Sequence, residues 1–186
     1  MINCGAGNDV VNAGGGDDVI NCGAGNDRVN GNAGNDRVNG ESGNDLLSGN
    51  EGNDRVSGGT GNDRANGNEG NDRVSGGAGN DRTGGQSGRD TVNGDSGRDR
   101  VSGGSGNDRA GGSAGNDRVN GDSGNDRVSG GSGRDAISGG TGNDAISARD
   151  RTRDTVNCGR GRDRVTADRR RGRDRVSRNC ERVRRR

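Results

Sequence analysis

The sequence predicts an all-β fold in which short strands stack as the successive coils of one long solenoid. Three observations lead to this prediction. Aspartate recurs at every ninth residue over most of the 186-residue chain, a glycine stands two residues before each of these aspartates, and a small, mostly aliphatic residue stands two residues after each. A hydrophobic content of only 20%, with no Phe, Tyr or Trp, would otherwise favour disorder. The repeat therefore decides the fold class.

The nine-residue unit reads G-x-x-G-N-D-R-V-S/N. Glycines at its first and fourth places permit backbone conformations that other residues avoid, which predicts a tight loop. The three residues after the aspartate are expected to form a short strand, with the aliphatic side chain on one face and its two neighbours on the other. Two successive units together close one coil. Stacked coils then give two parallel sheets with the aliphatic side chains between them.

Sixteen aspartates hold the repeated position in strict register and are the predicted metal ligands. They are Asp9, Asp18, Asp27, Asp36, Asp45, Asp54, Asp63, Asp72, Asp81, Asp90, Asp99, Asp108, Asp117, Asp126, Asp135 and Asp144. Carboxylates at the same place of successive coils would lie roughly 4.8 Å apart and repel each other. A divalent cation between them turns this repulsion into attraction, and Ca²⁺ takes six to eight carboxylate and carbonyl oxygens. The alternative is a metal-free coil with solvated aspartates at its turns.

The unit resembles the calcium-binding nonapeptide G-G-x-G-x-D-x-U-x of RTX (repeats-in-toxin) hemolysin-type proteins. Residues 76–81 (G-G-A-G-N-D) and 139–144 (G-G-T-G-N-D) match its loop fully, and the resemblance covers about residues 1–148. It implies a right-handed parallel β-roll, a form of β-helix or solenoid. It also implies Ca²⁺ ions between the loops of successive coils, held by the aspartate carboxylates and loop carbonyls. Residues 1–148 are thus expected to be an RTX-like calcium-binding β-roll.

The apolar core of such a roll is small, with a single aliphatic side chain in each unit. Burial of these side chains cannot by itself offset the conformational entropy of ordering the chain. We therefore expect a disordered metal-free chain that folds when Ca²⁺ binds. Ala65 and Thr83 should be neighbours on one sheet, and we expect fraying to begin there.

After Ala148 the register fails, because Asp154 follows Asp144 by ten residues instead of nine. Residues 149–186 carry 16 Arg against six acidic residues. We expect degenerate repeats followed by a poorly ordered Arg-rich tail, or an arm that binds anions. This segment does not resemble the secretion signal found at the C-terminus of RTX proteins, which is usually not rich in arginine.

The four cysteines lie near the two ends of the chain. Cys4 and Cys22 hold the same place in units that would stack in successive coils, while Cys158 and Cys180 lie at the other end. Stacking would bring the first pair within disulfide range, so two disulfides could staple the two ends of the roll. The other interpretation is chance replacement of loop glycines, and the sequence leaves both open.

The composition argues against an enzyme. The chain has no His, the commonest general base, and contains neither an H-E-x-x-H nor a G-x-S-x-G motif. We expect instead a calcium-dependent structural module that is secreted, although no signal peptide follows Met1 and no apolar run is long enough to span a membrane. Because the chain starts inside a repeat, it is expected to be a fragment of a larger protein or to reflect a late start.

An alternative function is a polyanion- or polysaccharide-binding repeat module of a larger secreted protein. Arginine holds the seventh place in most units, as at Arg28, Arg55 and Arg127, and it replaces the fifth-place Asn at Arg89, Arg98 and Arg134. Residues 1–148 hold 13 Arg and 22 acidic residues, so bound calcium would reverse the sign of their net charge. An acidic polysaccharide or cell-surface polyanion would then be attracted. No specific nucleic-acid recognition is expected, because the chain has no base-reading motif and no aromatic residue.

A third hypothesis is ice binding by an aligned T-G-N-D face. That tetrapeptide occurs only at residues 60–63 and 141–144. Most units have Ala, Ser or Glu at its first position, so the flat threonine array that ice binding needs is not predicted.

Overall fold

The computed structural model describes residues 1–168 and 174–185. Within them, every strand belongs to one of two parallel sheets, and the chain alternates between the sheets. The first sheet has eleven strands: β1 Ile2–Asn3, β3 Val19–Asn21, β5 Arg37–Ser42, β7 Arg55–Thr60, β9 Arg73–Ala78, β11 Thr91–Gly97, β13 Arg109–Gly115, β15 Arg127–Ser132, β17 Ala145–Ala148, β19 Arg164–Ala167 and β21 Arg182–Arg185. The second has ten: β2 Val10–Gly15, β4 Arg28–Ala33, β6 Leu46–Glu51, β8 Arg64–Glu69, β10 Arg82–Ser87, β12 Arg100–Ser105, β14 Arg118–Ser123, β16 Ala136–Thr141, β18 Thr155–Arg160 and β20 Arg175–Val176. The chain is an all-β parallel solenoid of about ten coils, as the sequence predicts.

Most strands are about twice as long as the three residues predicted. Strands β7 and β9 pair from Arg55 with Arg73 onward, and beyond the first-place glycine pairing resumes at Gly59 with Gly77 and continues to Thr60 with Ala78. The strand therefore runs from the seventh place of one unit to the third place of the next. Only the fourth, fifth and sixth places remain for the turn, which is why two units suffice to close a coil.

Positive φ angles occur at the second and fourth places of the unit, and not at the first as expected. The fourth place is glycine, as at Gly61 with φ of 130°. The second place adopts positive φ with glycine, as at Gly59, but also with Asn32 (φ 74°) and Glu41 (φ 70°). First-place glycine is needed for a different reason, which is the close approach of an aspartate side chain.

The eighth-place side chains form the core between the two sheets, as predicted. Val29, Val38 and Leu47 are at most 1% exposed, whereas the seventh-place residues beside them face solvent. Thr83 pairs directly with Ala65, which confirms that these two small residues are neighbours on one sheet. The Thr83 hydroxyl is buried without a hydrogen-bond partner. This stretch of core therefore combines small side chains with an unsatisfied polar group.

The coils continue past the break in register at Ala148. Ile137 pairs with Val156 and Ile146 with Val165, and each pair is separated by one residue more than the pairs of earlier coils. The extra residue lies in the turn between β17 and β18, where Asp150 Oδ2 accepts a 2.7 Å hydrogen bond from the Gly133 N–H. Residues 174–185 contribute β20 and β21. Residues 169–173 and 186 lie outside the described residues, and with them part of the tail that was expected to be poorly ordered.

One of the two possible disulfides is present. Cys158 and Cys180 are bonded, with their Cα atoms 5.3 Å apart. Cys4 and Cys22 stack in neighbouring coils as expected, but they are free thiols with their sulfur atoms 3.6 Å apart. Among the described residues there is no helix long and apolar enough to span a membrane.

Candidate metal site

The repeated aspartates form two ladders, one at each edge of the roll. In both, the backbone N–H of each aspartate donates a hydrogen bond of 2.7–3.1 Å to a carboxylate oxygen of the next coil. The first ladder is Asp9, Asp27, Asp45, Asp63, Asp81, Asp99, Asp117, Asp135, Asp154 and Asp174. The second is Asp18, Asp36, Asp54, Asp72, Asp90, Asp108, Asp126, Asp144 and Asp163, and it ends on Glu181. The carboxylates therefore stack coil on coil.

The second carboxylate oxygen, Oδ2, is buried and lacks a partner. This holds for seventeen aspartates, from Asp9 to Asp163. A Cβ atom added to the first-place glycine of the same unit would lie less than 3.0 Å from this oxygen, as at Gly31 beside Asp36. The carbonyl oxygen of Gly49, one coil further on, borders the same point. The Asp36 carboxylate and the Gly49 carbonyl oxygen thus pack closely against Gly31 and leave no room for a Cβ there.

Burial raises the pKa of these carboxyl groups. The pKa of Asp72 and Asp126 rises to about 7, and that of Asp81 to about 6. Loss of solvation is the main cause, and carboxylates in neighbouring coils add to it. The backbone N–H donated by the preceding coil opposes both effects. The ionised carboxylates of the ladders are therefore poorly solvated, and a bound cation would lower the free energy of the ionised form.

The donor set fits calcium better than a transition metal. All available side-chain donors in the ladders are carboxylates, and loop carbonyls lie beside them. Among the described residues, no three Cys, Asp or Glu side chains come close enough together to hold a metal ion. Each ion would therefore depend on backbone carbonyls for part of its coordination, as oxygen-rich calcium sites commonly do.

A family model for the RTX calcium-binding nonapeptide repeat matches residues 3–29, 23–47, 48–82, 84–110 and 111–146. The chain belongs to this RTX repeat family. The matched segments end at residue 146, whereas the strands and the ladders continue beyond it. No curated protein matches the chain.

The structure places the sixteen predicted RTX aspartates together in the two ladders. Asp9 and Asp18 are half-buried, and the fourteen from Asp27 to Asp144 are buried. Sequence reasoning missed four further acidic residues that prolong the ladders, namely Asp154, Asp163, Asp174 and Glu181. The signal for three of them was present, because Asp154, Asp163 and Asp174 each stand two residues before a valine.

The first place of the unit separates two kinds of RTX coil. Thirteen units, from the one holding Asp36 to the one holding Asp144, have glycine there, and the aspartate carboxylate of the unit packs closely against it. The first three units have Cys4, Ala13 and Cys22 instead. Asp9 and Asp27 nevertheless have the same buried, unpartnered Oδ2 atom as the later aspartates.

The fifth-place asparagines form a further ladder on the outside of the aspartate ladders. The side chain of Asn26 accepts a 2.7 Å hydrogen bond from the backbone N–H of Asn44, and Asn44 does the same for Asn62. Arg98 keeps its own backbone bond to Asn80 Oδ1, at 3.1 Å. An arginine side chain has no acceptor, however, so Arg98 offers nothing to the backbone N–H of Asn116. Each fifth-place arginine therefore interrupts the outer ladder. We expect the ion sites near Arg89, Arg98 and Arg134 to be weaker, because each places a cation beside them.

Proposed function

We propose that this RTX chain is a calcium-dependent structural module that folds when Ca²⁺ binds along its two aspartate ladders. The supporting observation is the set of seventeen buried Oδ2 atoms without a partner. An unpaired buried carboxylate costs several kcal/mol, and a folded metal-free roll would bear that cost in nearly every coil. Bound Ca²⁺ supplies positive charge and direct oxygen coordination at the same places.

The proposed ligands are the sixteen repeat aspartates, from Asp9 to Asp144, together with loop carbonyl oxygens. We expect the tightest binding in the thirteen units with a first-place glycine, from Asp36 onward. The RTX repeat β-solenoid is a structural calcium-binding fold, so the proposal assigns the chain a scaffold role and no reaction.

The proposal includes an extracellular location. Weak sites with Kd near ~10⁻³ M fill only where calcium is abundant, which is outside the cell. The Cys158–Cys180 disulfide fits an oxidising compartment as well. Folding would then be delayed until the chain meets external calcium.

The direct test is a calcium titration followed by far-UV circular dichroism, with magnesium as the control. The expected result is a cooperative change from a coil to a β spectrum with calcium alone, because Mg²⁺ demands a stricter octahedral geometry and keeps its water ligands. A β spectrum that is already complete in a chelator, or that forms equally with magnesium, would refute the proposal.

A glycine substitution tests the site itself. Gly67→Ala places a Cβ less than 3.0 Å from the Cβ, Cγ and Oδ2 atoms of Asp72, so the proposed ligand must move from its place in the ladder. We expect a higher calcium midpoint and a loss of about 1–3 kcal/mol in the free energy of unfolding at fixed calcium. The matched control is Gly15→Ala, whose Cβ would meet only the Ala33 carbonyl oxygen at 4.0 Å. Equal calcium midpoints for the two variants would show that no ion binds beside Asp72.

A further inference from the structure

A basic groove lies along the edge of the roll where the first sheet turns into the second. Its volume is about 1050 Å³, and it spans five successive coils, from Asn80 to Arg153. At about 4.8 Å per coil the groove is roughly 19 Å long. Six arginines line it: Arg82, Arg98, Arg100, Arg118, Arg134 and Arg153.

The two acidic residues that border the groove direct their charge away from it. Asp81 and Asp99 are each 1% exposed. Their Oδ1 atoms accept backbone N–H groups of the preceding coil, and their Oδ2 atoms are buried in the roll. The six arginines, in contrast, are all exposed. The surface that a ligand would meet is therefore cationic along its whole length.

The arginines come from two places of the unit, and the two sets follow one another. The seventh-place arginines Arg82, Arg100 and Arg118 stack in register and end where Arg118 pairs with Ala136. The fifth-place arginines Arg98, Arg134 and Arg153 continue the charge along the turns. Like charges at ladder spacing destabilise a sheet, and a bound anion relieves that repulsion.

We propose that this groove binds an extended anionic polysaccharide that carries carboxylate or sulfate groups. The guanidinium group presents a planar fork of donors that pairs with such oxyanions in two-point contacts. A single-stranded nucleic acid fits less well, because the whole sequence has no aromatic side chain on which bases could stack. The proposal rests on the proposed calcium-dependent folding, because the groove exists only after calcium has folded the roll.

The test measures binding of a heparin octasaccharide by isothermal titration calorimetry in calcium, with Arg98→Asn and Arg134→Asn combined in one variant. These changes restore the residue that most repeats carry at the fifth place and give back acceptors to the outer ladder, so the fold should be preserved. We expect the affinity to fall about tenfold or more. The matched control is Arg89→Asn, a fifth-place arginine on the opposite edge, for which we expect a change below about twofold.

Circular dichroism of the same samples separates failure of this proposal from failure of calcium-driven folding. A variant with a full β spectrum and unchanged heparin affinity would overturn the groove as the binding site. A loss of binding free energy for Arg89→Asn that is half that of the double variant would overturn it too, since binding would then follow net charge alone. Tighter binding of a thymidine oligonucleotide of equal charge would overturn the assignment to a polysaccharide.

Discussion

Thr83 is a polar residue at an aliphatic position of the core. Its hydroxyl is buried without a hydrogen-bond partner, and its neighbour in the preceding coil of the same sheet is Ala65, which has little side-chain volume. A buried hydroxyl that has lost its water and gained no partner raises the free energy of the folded state. We therefore expect fraying to begin in these coils, although the aspartate ladders run through them without a break.

Replacing Thr83 with valine should stabilise the calcium-bound roll by about 1 kcal/mol. The new methyl group keeps the shape of the side chain and removes the unsatisfied hydroxyl. Urea unfolding at fixed calcium measures the effect. Thr155→Val is the control, because Thr155 is exposed at the start of β18 and the same change there should be nearly neutral. An unchanged or lower unfolding midpoint for Thr83→Val would show that the hydroxyl is satisfied in solution.

At the scale of elements, the ladders link folding to protonation as well as to calcium. Each ladder aspartate that titrates near pH 6 or 7 has a folded-state pKa above its ordinary value of 3.8. A group with a raised pKa favours the folded state when it is protonated. Its contribution is complete below about pH 4 and is lost as pH rises through about 6 to 7. Protons and Ca²⁺ thus neutralise the same carboxylates.

The metal-free chain should therefore gain β structure on mild acidification. In a chelator, the far-UV circular dichroism spectrum should shift towards β between pH 8 and pH 5. Below about pH 4 the exposed carboxylates also lose their charge, and repulsion among the arginines then opposes the gain. With calcium present the dependence reverses, since protons compete for the ligands and the calcium midpoint rises as pH falls. Identical chelator spectra at pH 5 and pH 8 would contradict the raised pKa values.

Some features of the strands and turns could be predicted from the sequence, and others could not. The eighth-place core and the stacking of Asp27 on Asp45 follow from a nine-residue period, because two units must close one coil. The function of the first-place glycine could not be predicted, since it depends on which way the Asp36 carboxylate turns. The fate of the extra residue after Ala148 was also open, because an insertion can end a solenoid or be absorbed in a turn, as it is here.

At the scale of the whole molecule, each coil contacts mainly the coils directly before and after it. Pairing joins β7 only to β5 and β9, and the same rule holds along both sheets. Stability in such an array is close to a sum of coil terms and nearest-neighbour terms, so a local change acts locally. The last coils are the exception, because the Cys158–Cys180 disulfide ties β18 to the segment that leads into β21.

Reduction of this disulfide should loosen only the C-terminal end. The bridge joins residues 22 apart, and closing a loop of that size stabilises a fold by about 3 kcal/mol. Hydrogen exchange followed by mass spectrometry should show faster exchange in β20 and β21 after reduction, with β7 to β13 unchanged. A Cys158→Ser, Cys180→Ser double variant should reproduce the reduced pattern without reductant. Uniform acceleration along the chain would mean that the coils unfold as one unit.

The alternation of the chain between two sheets also sets how the molecule would respond to tension. Pulling on one end loads a single coil at a time, because no strand pairing in the described coils bypasses the neighbouring coil. Each coil that gives way would lengthen the molecule by roughly 60 Å, the extended span of two repeat units. If calcium is available, opened coils would close again, so the chain would act as an extensible tether that lengthens in steps of one coil. The C-terminal end, which the disulfide holds together, would unwind last.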